Sequence, residues 1–276
     1  MSAADTAAAA IGLPAFHVLA APANWQVADF IADLHLQAAQ PRITRAWQRY
    51  LLSTPADAVF ILGDLFEVWT GDDAARETGA FETHCADVLH AASARYSVHF
   101  MAGNRDFLVG NDFLQRCHIA ALPDPTVLRM HGQHWLLSHG DALCLADAAY
   151  QEFRALVRSP RWQQQFLARP LPERRAMAQQ MRQHSEAHKS ASAYVPADVD
   201  AAAAIAWLRA ANASTLIHGH THQPGEHTLQ AASGSAPPLR RVVLSDWRIE
   251  SGQPRADLLR LDSTGLHRLS LQQASA

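Results

Sequence analysis

The 276-residue sequence predicts an α/β domain built in layers and interrupted by a helical insertion. Two observations predict it. Up to about residue 145, apolar runs of strand length alternate with segments whose apolar residues recur at helical spacing. From residue 147 to 189 the alternation stops: glycine is absent and only helix signals remain.

The elements follow in order. VADFIADLHL (27–36) begins apolar and turns polar, as a strand running into a loop does. PRITRAWQRYLL (41–52) opens on proline and repeats its apolar residues at helical intervals. DAVFILGD (57–64) is a second buried strand, FETHCADVLHAASA (81–94) a second helix, YSVHFMAGN (96–104) a third strand and QHWLLSHGD (133–141) a further one. The insertion is helical, with breaks expected at SPRW and RPLPE. After a helix over 198–211, strands return at 214–222, 240–247, 257–261 and 266–271, and QAASGSAPP (230–238) is expected to be a loop at a hairpin tip. There is no internal repeat. Residues 1–24 are expected to form a loose extension, because they lack the basic start of a signal peptide and carry Asp5 early. The main domain is expected over 25–272, with a helical cap inserted at about 145–195, and the tail QQASA is expected to be disordered.

Composition narrows the function. With 49% hydrophobic and 18% charged residues, the chain can bury a sizeable core, which argues against global disorder. A net charge of −3 carries no signature of nucleic-acid binding. Its distribution is uneven: residues 147–189 hold seven arginines and Lys189 against four acids, a local +4 that leaves −7 for the rest. Cys85, Cys117 and Cys144 have no CxxC spacing, which argues against a disulfide framework or a zinc ribbon and for a reducing compartment. No uncharged apolar run reaches about 18 residues, so no transmembrane helix is expected.

Five short stretches share one design, an apolar strand followed at once by a metal-ligand type. They are ADLHL with Asp33 and His35, LGDLF with Asp64, AGNRD with Asn104, LSHGD with His139, and IHGHTH with His220 and His222. In open α/β sheets ligand sites lie at the carboxyl ends of strands, so the five should converge on one rim. Each alone is weak, since HTH is a common surface sequence and GD a common turn. Their ordered recurrence is what carries the signal. Two carboxylates, four imidazoles and an amide oxygen, without a thiolate, suit Mn²⁺, Fe²⁺ or Zn²⁺. Seven donors exceed one four-coordinate site and suit two cations sharing a bridge, an arrangement that can clamp a phosphoryl group.

The ordered set D-x-H, G-D, G-N, H-G-D, G-H-x-H resembles the calcineurin-like metallophosphoesterase superfamily, over residues 27–247. The resemblance implies a β-sandwich flanked by helices with two metals at the strand ends. It implies that Asp33, His35, Asp64 and His222 hold one metal, that Asp64, Asn104, His139 and His220 hold the other, and that Asp64 bridges them. Asn104, Arg105 and His139 are the expected catalytic residues, with Asp141 supporting His139 from behind and His218 outside the ligand set. Phe66 and Trp69, beside Asp64, suit either the core or a pocket wall.

Arg105 stands where many members have a histidine that helps the leaving group. A guanidinium cannot act as a general acid, but it grips phosphate bidentately. A phosphoanhydride needs no such acid, because its leaving phosphate has a second pKa of only about 6. The substitution therefore points to a pyrophosphate. The basic, amphipathic insertion, with Phe153, Leu156, Trp162 and Phe166 among its apolar members, reads as a lid over an amphiphile, a membrane-surface contact or a packed hairpin. HGDALCLADAAYQEFR, MRQHS, GNRDFLVG and GHTHQP are similar to the branch of the superfamily that splits the pyrophosphate of a lipid-linked nucleotide sugar in lipid A synthesis. That likeness implies water attack on the α phosphorus, two Mn²⁺ as cofactor, with Fe²⁺ or Zn²⁺ open, and a peripheral place on the cytoplasmic face of the inner membrane. No nucleic acid and no obligate protein partner is expected. It also implies substrate contacts from Asn104, Arg105, Asp147, Ser185, Lys189 and His220, although Lys189 stands where the branch has an asparagine. Two other readings stay open: a metallophosphoesterase for another nucleotide anhydride or phosphodiester, and a non-catalytic scaffold.

Overall fold

The computed structural model describes residues 12–189, 197–234, 236–250 and 254–275, with the side chains of 184–189 outside the description. Two six-stranded sheets pack face to face between helices. The first runs in the order β1 (His17–Ala20), β6 (Thr126–Met130), β7 (Gln133–Ser138), β8 (Thr215–His218), β10 (Leu239–Val243), β9 (Gly225–Gln230). The second runs β12 (Gly265–Ser270), β11 (Asp257–Asp262), β2 (Ala28–Ile31), β3 (Ala58–Leu62), β4 (Ser97–Met101), β5 (Ala120–Ala121).

Three apolar layers hold these sheets. Between them, Phe30, Phe60, Leu62 and Met101 of the second sheet meet Leu128, Trp135, Leu137 and Ile217 of the first. On the outer face of the second sheet, Ile31, Ile61 and Phe100 pack against Trp47, Tyr50 and Leu51 of α1 (Pro41–Ser53), Leu89 of α2 (Phe81–Ser93) and Phe113 of α3 (Asn111–Cys117). On the outer face of the first, Val127, Leu136 and Leu216 meet Ala204, Trp207 and Leu208 of α7 (Ala201–Ala210). β2 and β3 are buried on both faces, which is why they read as unbroken apolar runs rather than alternating ones.

The insertion forms α4 (Ala148–Val157), α5 (Pro160–Leu167) and α6 (Leu171–Lys189), broken where prolines and caps predict. Asp147 caps α4 by accepting from Tyr150 N, and Ser159 caps α5 ahead of a first-turn proline. The 230–238 segment joins the antiparallel pair β9–β10, as a hairpin tip does.

Two expectations at the chain ends need correction. Residues 17–20, read as part of a loose extension, pair in parallel with β6 as an edge strand, and Phe16 packs edge-on against Trp207. The tail expected to be disordered carries α8 (Leu271–Ala274), closed by a capping box between Ser270 and Gln273, with Ala274 fully buried.

Candidate metal centre

Five of the seven predicted donors sit in left-handed backbone: Asp33, His35, Asp64, His220 and His222 have φ between 50° and 67°. Such positions cost of the order of 1–3 kcal/mol each and cluster at functional sites. Aspartate and histidine tolerate them better than bulky or β-branched residues do. Neighbouring glycines make room. A Cβ on Gly63 (φ 91°) would strike the His139 ring and the Gly103 backbone, and one on Gly103 would strike the Asp64 carboxylate.

The structure brings all seven donors together. His35 Nε2 lies 3.2 Å from His222 Nε2 and 3.9 Å from Asp64 Oδ2. His222 Nε2 lies 3.5 Å from Asp33 Oδ1. His139 Nε2 lies 3.8 Å from Asp64 Oδ1 and 3.0 Å from Asn104 Oδ1, which is 2.8 Å from His220 Nδ1. Ligand atoms of Asp33, His35 and His222 fall within 4.8 Å of one another, as do those of Asp33, Asp64 and His139. Asp33, Asp64 and His139 are buried, while His35 and His222 line the open side.

Electrostatics shows what this cluster fits. Burial works to raise the Asp33 carboxyl, but His222, His139 and His35 hold it down at about 2. Its Oδ1 nevertheless has no hydrogen-bond donor among the described residues, a buried anionic oxygen left unsatisfied. Burial and the charge of His139 press His220 down to about 3, so its imidazole is neutral and offers a lone pair. His139 is drawn the other way: burial lowers it, but Asp64, Asp141 and Asp33 raise it to about 9. An orphaned carboxylate oxygen, two facing Nε2 atoms and a neutral imidazole fit divalent cations.

Outer contacts fix the donors. Asp106, fully buried, accepts from the backbone N–H groups of Gly103 and Leu65 at 2.7 Å and of Asp64 and Phe66 at 3.3 Å. It thereby ties the loop after β3 to the loop after β4. Asp64 Oδ1 accepts from Arg105 N at 2.8 Å, and Asp33 Oδ2 from His220 N at 2.9 Å. His139 Nδ1 donates to Leu62 O at 2.9 Å. Two carboxylates stand behind the other imidazoles. Glu67 Oε2 lies 3.0 Å from His35 Nδ1, and Asp246 Oδ2 lies 3.7 Å from His222 Nδ1. The first approach is short but off the ring N–H direction, so it is a close polar contact rather than a well-formed hydrogen bond.

Other predicted residues fall as follows. Arg105 does not pair with Asp106; its guanidinium lies 3.7 Å from Glu67 Oε1. Asp141 does not back His139. Its carboxylate accepts from Tyr150 Oη and Arg154 Nε at 2.8 Å and from Arg158 Nη2 at 3.3 Å, which fastens α4 to the rim. Asp147 spends its carboxylate on the α4 cap. Ser185 and Lys189 fall in α6, but their side chains lie outside the described residues. His218 is buried, donates from Nδ1 to Gly219 O, and is pressed down to about 4 by burial. Phe66 and Trp69 are core: both are buried and pack with Phe113. Sequence reasoning missed Glu67, Asp246 and Tyr150, whose ring stacks on His220 at 5.8 Å. Asp246 carried the same signal as the donors, since LSDW follows an apolar strand.

A two-sheet sandwich with clustered carboxylates, imidazoles and an amide at its strand ends is the architecture of a metal-dependent phosphoesterase. The calcineurin-like phosphoesterase profile matches residues 28–224, and the chain belongs to that family. It is 42% identical over 231 residues to the UDP-2,3-diacylglucosamine hydrolase of Hahella chejuensis, covering 83% of this chain and 92% of that one. It is 45% identical over 254 residues to the protein of the same name from Xanthomonas oryzae pv. oryzae, covering 88% and 97%. Among solved structures, Vps29 complexed with zinc from Entamoeba histolytica aligns at 14% identity and a TM-score of 0.41, over 89% of this chain and 99% of that one.

Proposed function

We propose that this chain hydrolyses the pyrophosphate bond of UDP-2,3-diacylglucosamine, releasing UMP and 2,3-diacylglucosamine 1-phosphate, at the inner-membrane surface. The observation that carries this reading is its 42–45% identity to relatives named for that activity, across nearly their whole length. Asp33, His35, Asp64 and His222 would hold one divalent cation and Asp64, Asn104, His139 and His220 a second, with manganese the expected metal. Such cations supply Lewis-acid stabilisation of phosphoryl oxygens and lower the pKa of water.

The chain's own residues do the rest. Arg105 grips a phosphate while its backbone N–H holds Asp64. Asn104 keeps His139 and His220 in one arrangement. Water attacks the phosphorus on the uridine side, the bond to the bridging oxygen breaks, and the sugar phosphate leaves without a general acid. Asp147, Ser185 and Lys189 are proposed to meet the glucosamine. The cap supports the lipid side of the reading, because Phe153, Leu156 and Leu167 are exposed on it, and Val68 is exposed four residues after Asp64. Among the described residues no helix is long and apolar enough to cross a membrane, so a peripheral contact through the basic cap is the form of attachment proposed.

The test is turnover of UDP-2,3-diacylglucosamine with Mn²⁺, read as UMP release, run beside UDP-glucose and in ¹⁸O-water. Expected are fast release from the diacyl substrate only, and label in UMP. Equal rates on the two substrates would remove the lipid assignment, and label in the sugar phosphate would move the site of attack.

A further inference from the structure

Glu67 is buried at 8% exposure in the stretch GDLFEVW, a few residues past Asp64. Its placement is set by backbone. Leu36 and Phe66 form a parallel bridge, and Glu67 N donates to Leu36 O at 3.1 Å, so the loop after β3 is zipped to the loop that carries His35. The carboxylate then divides its two oxygens. Oε2 faces His35 Nδ1 at 3.0 Å, while Oε1 faces Arg182 Nη1 of α6 at 3.3 Å and Arg105 Nη1 at 3.7 Å.

We propose that Glu67 is a positioning residue. One oxygen holds His35 in the tautomer whose Nε2 is free for the cation, and the other holds a rim guanidinium and a cap guanidinium beside the phosphate site. This rests on the reading above, in which His35 is a ligand. The anionic oxygen 3.0 Å from Nδ1, although off the ring N–H line, favours the ring proton on that nitrogen over Nε2, which leaves the lone pair on Nε2. Nε2 is the atom 3.2 Å from His222 Nε2 and 3.9 Å from Asp64 Oδ2, so the free lone pair points into the donor cluster.

The division of oxygens makes a sharp prediction. In Glu67→Gln the two guanidinia demand the remaining carbonyl oxygen, which turns the NH₂ toward His35 Nδ1. That nitrogen is then favoured as an acceptor, which shifts the ring proton toward Nε2, where it competes with a cation. A structural role predicts that the isosteric Gln variant is milder than Glu67→Ala. The positioning role predicts that Gln is at least as damaging as Ala.

The experiment is equilibrium dialysis of the full chain against Mn²⁺ with metal counted by elemental analysis, for wild type, Glu67→Gln and Glu67→Ala. Expected is a Kd about 10–100-fold weaker at one of two sites in both variants, with the other site within about threefold. A Gln variant within twofold of wild type at both sites, or one clearly milder than the Ala variant, overturns the proposal. If the Ala variant does not fold, as judged by near-ultraviolet circular dichroism, the Gln variant decides alone. Wild-type protein that binds no Mn²⁺ would instead defeat the metal reading itself.

Discussion

Asp106→Asn is the perturbation that asks most of the site's architecture. The carboxylate has no exposure and accepts four backbone N–H groups, two on each oxygen. Oδ1 takes Gly103 at 2.7 Å and Asp64 at 3.3 Å; Oδ2 takes Leu65 at 2.7 Å and Phe66 at 3.3 Å. An asparagine amide keeps one acceptor oxygen and puts an NH₂ where the other stood. Whichever way the amide turns, one short and one long donor lose their partner and face another donor. A buried N–H left unsatisfied costs about 1–3 kcal/mol; taking about 2 for the short bond and about 1 for the long one, the variant loses about 3 kcal/mol. Urea unfolding followed by tryptophan fluorescence reads this directly. With a slope of about 3 kcal/mol/M for a chain of this size, the midpoint falls by about 1 M. Because these bonds hold the turn that gives Asp64 a φ of 52°, turnover should fall at least about tenfold while the protein is still folded. A loss under about 1 kcal/mol with wild-type turnover would refute the claim that Asp106 holds the two loops in place.

Two further outcomes are expected. Asn104→Ala should lower turnover beyond the roughly 10–100-fold typical of residues behind a metal's ligands, with a melting temperature near wild type, because Asn104 is partly exposed and bridges His139 and His220; full activity would remove it from the site. His99, stacked on Phe60 and set edge-on to Trp25, is pressed down to about 4 by burial. Its folded pKa lies below the unfolded one, so the unfolded chain binds the extra proton. Its contribution to stability is full above about pH 6.5 and is lost as pH falls toward 4. Between pH 6.5 and 4.5 that amounts to about 2–3 kcal/mol, and urea unfolding of His99→Phe should show a pH dependence smaller by that amount. An unchanged dependence would mean that His99 does not titrate differently in the two states.

What could be read from the sequence was what is local. β2, β3, β4, β7 and β8 are short buried strands whose apolar runs stop where a candidate donor begins, so both strand and donor lie within a few residues. β1 was missed because its partner, β6, begins more than a hundred residues later, and a four-residue edge strand carries little pattern of its own. α8 was missed because four residues cannot sustain a helix alone. It is held by its capping box and by Arg260 Nη2 donating to Ala274 O at 2.9 Å.

The same distinction separates the donors from the groups that support them. Asp33, His35, Asp64, Asn104, His139, His220 and His222 each follow a strand, so topology alone gathers them. The pairing of Glu67 with His35 depends on the register between two loops, set by the bridge from Leu36 to Phe66, and no spacing in the sequence encodes that register. Asp141 shows the converse. Its place beside His139 suggested a partner for that imidazole, but His139 Nδ1 donates to the Leu62 carbonyl, and Asp141 turns to Tyr150, Arg154 and Arg158 on α4. Adjacency in sequence therefore located the candidate donors, whereas the anions beside them or anchoring the cap follow from which distant backbone each carboxylate meets.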